Sequence, residues 1–142
     1  SMTPVSQVKD VVHEQEMAEI ANAYVMYVED DDLVRQSTCA LFDTYGILYQ
    51  AAASIEEVRR AVATMQRKPD VLLTDYRLPD GASAEHVVAT VCQVFGPLPV
   101  LLVTGDVIEA KQMASDWHVL CKPLSAPQLL HALHQALSVK TA

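Results

Sequence analysis

The chain has 142 residues, 51% hydrophobic and 20% charged, with a formal net charge of -8. That is enough apolar material for one domain with its own core, and the acidic balance excludes a nucleic-acid surface, which needs clustered Lys and Arg. No apolar stretch approaches the roughly 20 residues of a bilayer span and nothing at the start resembles a signal peptide, so a cytoplasmic protein without membrane contact is expected.

Ser1 reads as a cloning remnant and is set aside from the fold, and Met2 as either an initiator or a vector methionine. Residues 4 to 22 carry Val5, Val8, Val12 and Ile20 among polar residues, a pattern that predicts a helix with a partial apolar stripe. The chain therefore divides into an N-terminal helical linker or extension over 1–23 and a domain over 24–140. The helix links to an upstream domain, packs on a second copy as a homodimer, or is a frayed extension with no role. From Tyr24 onward, strand and helix alternate. A strand at Tyr24-Val25-Met26-Tyr27-Val28 precedes a helix starting near Leu33, for which Asp31 or Asp32, Asp32 above all, is the expected N-cap. Its apolar face is read as Leu33, Ser37, Ala40, Leu41 and Tyr45, with Gly46 as the stop.

A second strand is predicted at Ile47 to Ala51. Ser54-Ile55-Glu56-Glu57 has the spacing of a capping box and opens a helix bearing Val58, Ala61, Val62 and Met65, which Pro69 ends. Val71 to Thr74 is apolar enough for a strand buried on both faces. Pro79-Asp80-Gly81 signals a turn, and a helix follows from Ala84 to Val94. The remaining elements are a strand at Val100 to Val103, a short helix at Val107 to Ser115, a strand at Val119 to Cys121 and a helix from Ser125 to Ser138, again with capping-box spacing at Ser125 and Gln128. Alternating units of this kind predict an α/β doubly wound parallel sheet between helical layers. Cys39, Cys92 and Cys121 have no metal or redox spacing and are expected as reduced, half-buried thiols.

The chemistry sits where the apolar runs end. The first run ends in Glu29-Asp30-Asp31-Asp32, the third in Asp75, the fourth in Thr104-Gly105 and the fifth in Lys122-Pro123. In a parallel sheet these ends share one edge, where open α/β folds hold their ligands. Carboxylates brought together resist ionising unless a cation intervenes. Glu29, Asp30 and Asp75 against Lys122 leave two uncompensated negative charges, which one Mg²⁺ would balance. That ion takes few carboxylates and shares its other positions with water and phosphate oxygens. An aspartate can itself attack phosphorus to give an acyl phosphate, and such a transfer needs mainly positioning and charge neutralisation.

Four motifs in order, Val28-Glu29-Asp30-Asp31, Leu73-Thr74-Asp75-Tyr76-Arg77-Leu78-Pro79, Leu102-Val103-Thr104-Gly105 and Cys121-Lys122-Pro123-Leu124, resemble the receiver domains of two-component signalling over residues 24 to 138. The resemblance implies a flavodoxin-like (βα)5 three-layer sandwich with strand order 2-1-3-4-5, an order carried over from the family and not fixed by the spacing of the runs. It implies Asp75 as phosphoacceptor, Asp30 as a direct Mg²⁺ ligand, Glu29 as a ligand through water, and the main-chain carbonyl of Arg77 as a further ligand. Thr104 and Lys122 would contact the phosphoryl group, and the Lys122-Pro123 peptide would be cis. The implied partner is a histidine kinase or a histidine phosphotransfer domain, and the wording of the motifs points to the receiver of a hybrid sensor histidine kinase, with a stand-alone regulator as the alternative.

Three departures stand out. Val119 occupies the position of an aromatic that many receivers use as a switch, Arg77 and Asp106 place opposite charges beside the acceptor, and Ser83 replaces a glycine common in the loop. Two other classes compete: a haloacid dehalogenase-like phosphatase, which would carry an acidic residue where Arg77 stands, and a pseudo-receiver scaffold that is never phosphorylated.

Overall fold

The computed structural model describes residues 14–106, 112 and 117–141, the last three by their backbone alone. Residues 4–13 of the expected first helix and, apart from position 112, the expected helix at 107–115 lie outside the described residues. Residues 14–20 are helical. There follow β1 (Tyr24–Val28), α1 (Asp32–Thr44), β2 (Leu48–Ala52), α2 (Ile55–Thr64), β3 (Val71–Asp75), α3 (Ala84–Phe95), β4 (Val100–Thr104), β5 (His118–Cys121) and α4 (Ala126–Thr141). The strands form one parallel sheet in the order β2-β1-β3-β4-β5.

Period-two alternation divides the core between the two faces of the sheet. Val25 and Tyr27 of β1, with Leu73 and Leu101, pack under Phe42 of α1 and Leu129, Leu130 and Leu133 of α4. Met26, Val28 and Leu72 point the other way, against Val58, Ala61 and Val62 of α2 and Val87 and Val91 of α3. Both faces being covered, every residue of β3 and β4 is buried, as expected for central parallel strands. Met17 and Ile20, from the segment before β1, enter the first of these clusters.

Several local expectations change. The N-cap of α1 is Asp31, whose Oδ1 accepts from the Val34 amide at 3.0 Å, and the helix begins at Asp32, not near Leu33. Asp32 takes no part in capping because it pairs with Arg35 across one turn. The face of α1 is also rotated from the one predicted. Leu33 is 76% exposed, while Phe42 is fully buried between Tyr27 and Tyr49, with ring centroids 5.7 Å from each. The largest side chain available to fill the space over β1 and β2 sets the orientation. Asp31→Ala, measured without divalent ions, is expected to lower the stability in a denaturant titration by about 1 kcal/mol; an unchanged midpoint would remove the cap from the account.

α2 ends at Thr64, well before Pro69, because Met65 turns extended and Arg67 ties the following loop to Asp70 at 2.9 Å and to the Asn22 carbonyl at 3.3 Å. β2 runs one residue later than predicted, and β3, β4 and β5 each take in one further residue. Of the three thiols Cys121 is exposed, while Cys39 and Cys92 are half-buried. Gly46 and Gly81 have positive φ, +70° and +83°, at the end of α1 and in the turn after β3, where a residue without Cβ meets no penalty. Ser125 and Gln128 form a reciprocal cap at the start of α4: each backbone amide donates to the other's side chain, at 2.9 and 3.2 Å.

Candidate functional site

The register of the sheet assembles the site. Val28 pairs with Thr74, Asp75 with Val103 and Thr104 with Cys121, so Glu29, Asp75, Thr104 and Lys122 all lie at one sheet edge. Each is fixed by main chain. The Glu29 amide donates to the Ala52 carbonyl at 3.0 Å, the Tyr76 amide to Val103 at 3.0 Å, and the Lys122 amide to Thr104 at 2.8 Å. The Lys122-Pro123 peptide is cis.

The Lys122 ammonium bridges two buried carboxylates, with Nζ 3.1 Å from Glu29 Oε1 and 3.1 Å from Asp75 Oδ1. Asp30 completes the acidic set: one oxygen from each of Glu29, Asp30 and Asp75 lies within 4.8 Å of the others. Thr104, also buried, accepts from the Asp106 amide through Oγ1 at 3.2 Å. Arg77 and Asp106 border the same cleft of about 310 Å³ as Asp30, Asp75, Thr104 and Lys122. All the predicted side chains therefore meet at one place.

Two contributors escaped the sequence reading. Arg35, one turn into α1, donates through its guanidinium to the carbonyls of Glu29 at 2.8 Å and Asp30 at 3.3 Å while holding the Asp32 carboxylate. The Asp31 amide donates to Glu29 Oε2 at 3.2 Å. The first could have been suspected from an Asp-x-x-Arg step directly after the acidic cluster; the second is a main-chain contact that no side-chain pattern announces. Ser83, at the loop position noted above, pairs with Arg77 in an isolated antiparallel bridge and precedes α3, its amide donating to His86 Nδ1 at 3.3 Å.

Electrostatics separates the two buried acids. Burial, then the hydrogen bond and charge of Glu29, outweigh Lys122 and push the Asp75 pKa up to about 8. Glu29 moves the other way: burial disfavours its charge, but hydrogen bonds from Asp75, the Asp31 amide and Lys122 prevail and lower its pKa. Lys122 is raised, since the two carboxylates overcome the burial that would discharge it. A site that holds one proton between two carboxylates is a site short of positive charge, and the hard oxygen donors fit Mg²⁺.

A pH dependence follows from the raised Asp75. An unfolded aspartate ionises near pH 3.9, so without metal the contribution of Asp75 to stability is full below that pH and is lost as pH rises towards 8. The lowered Glu29 contributes in the opposite sense, its part being lost as pH falls. Asp75→Asn is therefore expected to stabilise the metal-free protein at pH 8 by on the order of 1–2 kcal/mol, with the gain shrinking towards pH 4. Denaturant titrations at several pH values read this directly; a difference independent of pH would contradict it.

A scan against models of known families matches none, and a search of curated proteins likewise finds no match. Solved structures do match. A response regulator receiver domain protein from Clostridium thermocellum superposes with a TM-score of 0.71 at 24% identity, over 84% of this chain and 97% of its own. The fold is that of a receiver domain. A response regulator receiver protein from Sinorhizobium medicae WSM419 gives 0.70 at 19% identity, over 83% and 96%, and the receiver domain of the PhyR response regulator from Erythrobacter litoralis gives 0.71 at 24%, over 83% and 92%. Within this receiver fold, no helix among the described residues is long and apolar enough to cross a membrane.

Proposed function

We propose that the chain is a phosphoacceptor: a receiver domain that takes a phosphoryl group from a phosphohistidine onto Asp75 and signals through the resulting conformational change. The observation that carries this reading is the ammonium of Lys122 held 3.1 Å from both Asp75 and Glu29, with Asp30 and Thr104 on the same cleft. In this reading Glu29, Asp30, the Asp75 carboxylate and the main-chain carbonyl of Arg77 hold Mg²⁺. When bound, that ion neutralises the carboxylates and the charge of the incoming phosphoryl group.

The chain's own residues do the rest. With its proton displaced, a carboxylate oxygen of Asp75 attacks phosphorus. The bond between phosphorus and the donor imidazole breaks with the electron pair leaving on nitrogen, which takes up a proton, and an acyl phosphate is left on Asp75. Lys122 leaves its shared position between two acids to pair with the phosphoryl oxygens, and the Thr104 hydroxyl donates to another of them. A histidine kinase or histidine phosphotransfer domain is the partner this chemistry requires. The parent is read as a hybrid sensor histidine kinase, or as a stand-alone regulator, working in the cytoplasm.

Incubation with a small acyl phosphate and magnesium tests the reading. A mass increment of one phosphoryl group at Asp75 is expected. Continuous phosphate release with no stable adduct would indicate a phosphatase, and no reaction would indicate a scaffold. Arg77 and Asp106, on the mouth of the cleft, are expected to slow the approach of water to the acyl phosphate. Arg77→Ala with Asp106→Ala should shorten the lifetime of the phosphorylated form several-fold in a pulse-chase decay, while changing stability by no more than about 1 kcal/mol. An unchanged lifetime would remove that gate.

A further inference from the structure

The loop between β1 and α1 carries two of the three carboxylates of the site, and one side chain holds its backbone. Arg35 donates through Nη1 to the carbonyls of Glu29 at 2.8 Å and Asp30 at 3.3 Å, and through Nη2 to Asp32 Oδ1 at 2.6 Å. Its side chain is 21% exposed, whereas that of Asp32 is 76% exposed. Water screens an ion pair of that kind and leaves it worth little. The bonds to main chain are the larger part of what Arg35 contributes.

Those bonds have a geometric effect. A peptide unit is planar, so holding the two carbonyls fixes the planes on either side of the Asp30 Cα, and with them the direction in which its carboxylate leaves the chain. The second unit has the Asp30 carbonyl at one end and the Asp31 amide at the other, and that amide donates to Glu29 Oε2 at 3.2 Å. The remaining oxygen of Glu29 accepts from Lys122 Nζ at 3.1 Å, and Nζ lies 3.1 Å from Asp75 Oδ1. A continuous run of bonds thus leads from α1 to Asp75: guanidinium, peptide, carboxylate, ammonium, carboxylate. On the sheet side the same loop is fixed by the Glu29 amide, which donates to the Ala52 carbonyl at 3.0 Å.

We propose that Arg35 is a positioning residue for the divalent cation: by holding the carbonyls of Glu29 and Asp30 it aims both carboxylates, and without it the site binds Mg²⁺ about tenfold more weakly. This rests on the phosphoacceptor reading, which takes Glu29, Asp30 and Asp75 as the carboxylates that meet the ion. Mg²⁺ demands near-ideal octahedral geometry, so a loop free to turn loses affinity for it. Charge alone argues for the opposite result. Arg35 is a cation beside a cation site, and removing it also leaves Asp32 unneutralised, so Coulomb attraction by itself would tighten metal binding. The sign of the change separates the two roles.

Titration with Mg²⁺ alone, followed by amide NMR shifts and without any phosphodonor, compares the parent chain with Arg35→Gln and Asp32→Asn. Arg35→Gln is expected to raise the dissociation constant about tenfold. Asp32→Asn, which removes a negative charge and leaves both carbonyl bonds, should raise it less. An unchanged or lower constant in Arg35→Gln overturns the proposal, and so does a larger loss in Asp32→Asn. A parent chain that binds no Mg²⁺ overturns the metal reading itself, and the positioning role with it. In labelling by a small acyl phosphate, the Mg²⁺ concentration at half-maximal rate should rise by the same factor in Arg35→Gln while the rate at saturating Mg²⁺ stays level; a lower saturating rate with an unchanged midpoint refutes positioning. Should Arg35→Gln fold poorly, the native chain gives a second readout. Coupling between two sites is reciprocal, so an arginine that strengthens the hold on Mg²⁺ must itself be held more firmly once the ion is bound. Exchange of the Arg35 guanidinium protons with water is expected to slow about tenfold at saturating Mg²⁺, and an unchanged rate refutes the role.

Discussion

Asp75→Asn is expected to abolish phosphorylation outright, with no phosphoryl increment by intact mass after incubation with acyl phosphate and magnesium under conditions that label the parent chain. The amide is nearly isosteric with the carboxylate, so the fold and the hydrogen-bond geometry around Lys122 and Glu29 persist. What disappears is the anionic oxygen that attacks phosphorus and one of the hard donors that make the cleft fit for a divalent ion. Lys122→Met isolates a different element, removing the charge that Asp75 and Glu29 share at 3.1 Å while leaving the nucleophile. If Asp75→Asn were labelled as well as the parent, the phosphoryl group would be landing elsewhere and the acceptor assignment would fall.

Ile20→Ala is expected to cost about 2–5 kcal/mol in a denaturant titration, a loss comparable to that of a residue in the middle of the sheet. Ile20 is fully buried and shares a cluster with Phe42, Ile47, Leu130 and Leu133, so truncation opens a cavity between α1, α4 and the foot of β1. A loss of that size would place the segment before Tyr24 inside the folding unit. A cost under about 1 kcal/mol, typical of a solvent-facing side chain, would make it a linker.

The middle of the sheet was legible because β1, β3 and β4 are short apolar runs followed or ended by polar residues, and their burial leaves no polar alternation to confuse them. The site was legible for the same reason, since each functional side chain directly follows a run: Glu29 after Val28, Asp75 after Thr74, Thr104 after Val103 and Lys122 after Cys121. Helix faces were less so. In α1 the pattern of small and apolar residues fits two faces about equally well, and the choice is made by Phe42 lodging between Tyr27 and Tyr49, a tertiary fact. Arg35 was overlooked because its targets are carbonyls, which every residue has. The end of α2 was set by Arg67 reaching Asn22 and Asp70, partners 45 and 3 residues away, only the nearer of which a local pattern can show.

The grip of Arg35 on the two carbonyls that follow β1 gives one turn of α1 two very different fates under sequence drift. Leu33, projecting into water, is free to become almost anything that tolerates a helix. Two positions later, even lysine would be a poor stand-in, because a single ammonium has no planar fork with which to clasp two main-chain oxygens and a carboxylate together.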